Sequence, residues 1–147
     1  MDKEQAIEKL RIHAFMHDDP EHVGMQRGFL GMLRPFQGIL IEENFRELMQ
    51  IVDTLSEELE KEALDRTIVS GLWSICQYAR AWAVEPDGML RKSDLISDEQ
   101  LRLMAQWVDI LSYAVSTLLE GGGREEAFWG YREYVKERER TEGGELS

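Results

Sequence analysis

Apolar residues recur along this chain at the three-to-four-residue spacing of an α-helix, and no alternating apolar/polar run is long enough to read as a strand. Ile7, Leu10 and Ala14 form the first stripe and predict a helix over residues 3–16. His17-Asp18-Asp19-Pro20 closes it, because the residue before a proline avoids the α region. A second helix, poorer in periodicity, is predicted from Pro20 or Glu21 to Arg34, with Pro35 and Gly38 breaking the chain after it. Ile41, Phe45, Leu48, Val52, Leu55 and Leu59 then predict a helix over 42–60 with one buried face; Arg46, Glu47, Gln50, Asp53, Glu57 and Glu58 lie away from it.

Beyond residue 60 the stripe changes phase. Extending it would bury Glu62 and Arg66, whereas Leu64, Ile68, Leu72, Ile75, Ala79 and Trp82 begin a clean new one. A turn near residues 60–64 and a fourth helix ending near Val84 follow from that shift. Glu85-Pro86-Asp87-Gly88 suits a type I turn. Ser97-Asp98-Glu99-Gln100 is a capping box, which opens a fifth helix running to about Glu120. Gly121, Gly122 and Gly123 stop it. A sixth helix over 124–139 turns Ala127, Tyr131, Tyr134 and Val135 inward, and residues 141–147 read as a flexible acidic tail.

The fifth helix carries two apolar stripes. Leu101, Met104, Val108, Leu111, Val115 and Leu118 form one; Leu103, Trp107, Ile110 and Ala114 form the other, nearly opposite. A helix apolar on two sides is buried on two sides, as the centre of a domain or as the seam of a homodimer. The fourth helix offers Ser70, Ser74 and Ala81, which let a neighbour approach closely. The expectation is an all-α, single-domain bundle of five or six helices over residues 1–140, with the fourth and fifth helices central.

Composition narrows the function. The 147 residues suit one domain. Asp and Glu number 29 against 17 Lys and Arg, a net charge of −12. That sign opposes a nucleic-acid backbone or an anionic membrane and favours a basic protein partner or cations. No apolar run is long enough to span a bilayer, and no secretory signal is visible. Cys76 is the single cysteine, so no internal disulfide forms, and a cytoplasmic setting is expected. Cys76 lies beside an apolar stripe with no activating partner, as an inert thiol would. The Gly-x-Ser-x-Gly, P-loop and dinucleotide fingerprints are absent.

Two segments stand out. Residues 23–41 contain no acid and carry Arg27 and Arg34. If helical, this stretch puts Gly24, Gly28 and Gly31 on one face, implying a close backbone approach or else an irregular segment, and Met25 and Met32 on the next. Met25 and Met32 would supply adaptable apolar contact, and Arg27 and Arg34 would hold a carboxylate or phosphate. The second segment brings His13, His17 and His22 close together in sequence with Asp18 among them. His13 and His17 are four apart, a spacing that places two ligands of one metal ion on one helix face.

Trp73, Trp82 and Trp107 fall on apolar stripes and are expected in the core. Trp129 falls opposite the inward face of its helix, where it is a candidate contact point. The leading expectation is a non-enzymatic interaction module, such as an adaptor, inhibitor or regulatory subunit. It would bind a basic protein or form a homodimer, and it needs no cofactor. The alternative is a metal-binding protein or hydrolase with a divalent transition metal on His13, His17, His22 and Asp18.

Overall fold

The structure is a computed structural model that describes residues 1–19 and 21–146, and the side chains of these except Val23 and residues 143–146. Eight α-helical segments and no strand occur among the described residues. They are α1 (Lys3–His13), α2 (Glu42–Thr54), α3 (Ser56–Glu60), α4 (Arg66–Ala79), α5 (Met89–Lys92), α6 (Asp98–Leu119), α7 (Arg124–Ala127) and α8 (Trp129–Leu146). A 3₁₀ turn spans Val23–Gln26, and a π-helical turn, Arg80–Val84, continues α4.

Local chemistry explains the ends. Asp2 and Gln5 form a capping box on α1, and Ser97 and Gln100 form the one predicted on α6. Asp65 caps α4 by accepting from the Thr67 N–H, just after the phase shift in the apolar stripe. The predicted helix over 42–60 is present as α2 and α3, broken at Leu55, whose φ of −93° and ψ of 7° leave the α region. Gly121 and Gly123, at φ of 76° and 89°, adopt the left-handed backbone that ends α6. The predicted sixth helix is divided at Phe128 into α7 and α8. Of the acidic tail expected over 141–147, residues 141–146 fall on the end of α8; Ser147 and the side chains from Gly143 onward lie outside the described residues.

α6 is the central element, packing against α2, α3, α4, α7 and the π-helical turn. Both of its stripes are covered: Met104, Val108, Leu111 and Leu118 are buried on one side, and Trp107 and Ala114 on the other. Ile110 and Leu103 are partly buried against the core. Trp107 stacks on Phe45 at 5.3 Å between ring centres and meets Phe29 at 6.2 Å. α4 lies against α6 and α1.

Three expectations are overturned. The first helix stops at His13, with Phe15 in the left-handed region at φ 59°. The predicted helix over 20–34 is not formed beyond the short 3₁₀ turn, and the chain winds back over α1. A Cβ on Gly28 would stand 3.2 Å from both the His13 Cα and the Ile12 carbonyl oxygen, so the glycines serve a close approach of backbone rather than a helix face. Trp73, expected in the core, is 71% exposed, and Leu64, expected at the head of the same stripe, is 45% exposed. Among the described residues, no element packs over Trp73 on that side of α4.

Candidate partner-binding groove

A polar chain at the heart of the bundle fixes α8 against α2 and α6. The Trp107 Nε1–H donates to the Tyr134 hydroxyl at 3.0 Å, and that hydroxyl donates to Glu42 Oε2 at 2.7 Å. Arg46 donates to Glu42 Oε1 at 2.9 Å, and an Arg138 guanidinium nitrogen lies 2.6 Å from Glu42 Oε2. Burial pushes the Glu42 carboxyl up, but donation from Tyr134 and Arg46 and the charge of Arg138 hold it below the usual carboxylate range. Burial, with the bond to Glu42, pushes the Tyr134 hydroxyl up to about 12. Tyr134 therefore stays protonated and keeps donating.

Tyr134 also lines a groove of about 610 Å³ between α6 and α8. Its apolar lining is Ala105, Ile110, Gly130 and the Trp129 indole, and Arg102, Gln106, Asp109, Glu133 and Glu137 complete it. Three carboxylates thus stand against one guanidinium. Trp129 is 59% exposed, because the break at Phe128 buries the phenyl ring and turns the next side chain outward. Asp109 lies near Arg80 at 3.5 Å, Glu133 near Lys136 at 3.6 Å and Glu137 near Arg140 at 2.9 Å. Such exposed pairs are weak and exchange readily. An indole and small apolar groups beside carboxylates suit a lysine or arginine side chain, with its cation over the ring and its donors on the carboxylates.

The other sequence-predicted site residues are placed as follows. His13 is buried: its Nδ1 accepts from the Phe29 N–H at 2.9 Å and its Nε2 donates to Glu47 at 2.9 Å. Both nitrogens are thus engaged, and His13 serves as a clasp between α1, α2 and the glycine-rich loop. His17 lies beyond the end of α1, where Nε2 meets Glu8 and Nδ1 accepts from the Asp19 N–H at 3.1 Å. His22 caps the 3₁₀ turn through its Nδ1 and packs its ring 4.5 Å from that of His17. Asp18 pairs with Arg11 at 2.6 Å. Among the described residues, no group of three or more His, Cys, Asp or Glu side chains is placed to hold a metal ion.

Met25 and Met32 are buried core residues, not a binding edge. Arg34 lies over the Trp82 ring at 5.4 Å, beside Tyr78 and Phe15 in a separate groove whose lining does not include Arg27. The structure therefore does not bring the two arginines together on one anion-sized pocket. Of the predicted contact residues, Trp129 is solvent-facing and lines a groove together with Asp109, Glu133 and Glu137. Glu133 and Glu137 escaped the sequence reading, although their spacing from Trp129 by four and eight residues places them on its helix face.

A second groove, about 330 Å³, runs between α4 and α6 and is lined by Val69, Leu72, Trp73, Cys76, Arg80, Ser112, Val115, Ser116, Leu119 and Glu120. Burial pushes the Cys76 thiol up to about 11, with Arg80 opposing, so it stays protonated and inert there. Among the described residues, no helix is long and apolar enough to cross a membrane. Compared with family models, curated proteins and solved structures, the chain matches none.

Proposed function

We propose that this chain is a non-enzymatic protein-interaction module that receives a basic segment of a partner protein in the groove between α6 and α8. The observation that carries the reading is the solvent-facing indole of Trp129 beside Asp109, Glu133 and Glu137. Exposed tryptophans in shallow grooves act as anchors, and surrounding charges set the sign of what approaches. The net charge of −12 steers the same class of partner from a distance. A cytosolic setting suits the single thiol.

The test is calorimetric titration with a lysine/arginine-rich peptide and with a glutamate-substituted counterpart. Binding of the basic peptide alone is expected, weakening with salt. Trp129→Ala should raise its Kd by about 10- to 30-fold, and Glu133→Gln with Glu137→Gln should flatten the salt dependence. Equal affinity of the parent protein and Trp129→Ala would overturn the reading.

A further inference from the structure

We propose that the face formed by α4 and α6 docks a second copy of this chain, as a two-fold dimer in which α4 of each protomer lies over α6 of the other. This surface is separate from the groove that Trp129 lines. Its exposed apolar content is high: Trp73 is 71% exposed, Leu64 45% and Leu119 40%. The groove between the helices continues past Val69 and Trp73 into a second depression lined by Leu64 and Arg66, so the apolar surface is contiguous. Contiguous apolar patches on a protein surface mark association sites.

Charge identifies the occupant. The molecule is strongly acidic, yet the two depressions are lined by Arg66, Arg80 and a single carboxylate, Glu120. A second copy related by a two-fold axis can set Arg66 against Glu120 twice across the contact, whereas a basic partner meets two guanidinium groups and a single carboxylate. Arg80 reaches Ser112 at 3.1 Å and Asp109 at 3.5 Å. The end of the groove at Arg80 is therefore the Asp109 end of α6, and Val69 and Arg66 lie toward Glu120. α4 and α6 run antiparallel.

A two-fold axis along these helices carries each α4 onto the partner's α6 at the same level. It sets Arg66 against the second copy's Glu120 twice across the axis. It also lays Trp73 over the small residues Ser112 and Ser116, beside Val115 of the second copy. Every neighbouring pair among the four helices is then antiparallel. The alternative axis, across the helices, would oppose Arg66 to Arg80 and is disfavoured by like charge. The contact is isologous and closes on itself.

Sedimentation of the full chain from about 1 µM to about 1 mM tests this directly. A dimer is expected, and Trp73→Ala should raise its dissociation constant by at least about 30-fold. Trp73 is solvent-facing, so that variant folds, as circular dichroism would verify. Arg66→Glu and Glu120→Arg should each weaken self-association, because each opposes like charges across the axis. Mixed one to one, the two variants should form a heterodimer, since both cross-axis pairs are then complementary. A parent chain that stays monomeric over this range would overturn the proposal. So would a dimer indifferent to Trp73→Ala, or single variants that fail to pair when mixed.

Discussion

Single side chains in this protein do their work through space that is either filled or free. A methyl group on Gly31 would sit 2.0 Å from the Met25 carbonyl oxygen, a backbone atom that cannot turn aside. Gly31→Ala should therefore destabilise the fold by at least about 2 kcal/mol. On α8 the opposite holds, since a Cβ on Gly130 would meet only Ile110 Cγ1 at 4.0 Å. Gly130→Ala should stabilise the fold by about 1 kcal/mol through helix propensity. Urea unfolding midpoints with unchanged slopes would verify both, and a neutral Gly31→Ala would refute the close approach. His13 is a third case. His13→Leu leaves the buried Phe29 N–H without an acceptor, at a cost of about 1–3 kcal/mol. Exchange of that amide with solvent should accelerate accordingly.

At the scale of elements, α6 is what organises the molecule, and it was legible because its residues alone carry two stripes and a capping box. Trp107 and Ala114 are as buried as Met104 and Val108, as a helix apolar on two sides requires. The turn before α4 was legible for a similar reason: the phase of the stripe has to break where Glu62 would otherwise enter the core. Periodicity fails where the chain has none to offer. In the segment after α1, Gly28 lets the loop backbone lie on α1 and Gly31 lets it close on Met25, in place of a shared helix face, and the buried Met25 and Met32 follow from that path. Trp73 was misplaced because apolar spacing shows which residues could be buried, not whether a neighbour exists to bury them. The candidate groove was legible in part, since the helical phase placed Trp129 outward. Its union with Asp109 is tertiary: α8 is seated on α6 by the Trp107–Tyr134–Glu42 chain, which no spacing reveals. Tyr134→Phe should break that seat, cost about 1–3 kcal/mol and loosen α8 as read by amide exchange. Loss of stability without faster exchange in α8 would argue against this anchoring.

For the whole molecule, the governing quantity is the excess of carboxylates, and its effect on stability depends on which of them are paired. Glu47 is held below the usual carboxylate range, first by the hydrogen bond from His13 and then by Lys9, against opposing burial. Glu42 is depressed as well, by its donors in the core. A carboxyl whose pKa is lower folded than unfolded binds fewer protons in the native state, so its contribution is complete above the unfolded value. As pH falls from there through the depressed folded value, the unfolded chain takes up the extra protons and the contribution disappears. Protonating the exposed carboxylates acts in the opposite sense, by relieving repulsion in a chain of net charge −12. The two effects are separable by mutation. Stability measured by urea unfolding should decline as pH drops below about 4.5, the ordinary carboxyl value for these residues. Glu47→Gln should lower stability at neutral pH and flatten that decline, while leaving the salt dependence, which the exposed charges set, nearly unchanged. A variant with the same acid slope as the parent would show that the His13–Glu47 pair does not carry the linkage, and would assign the decline to Glu42 and its donors in the core.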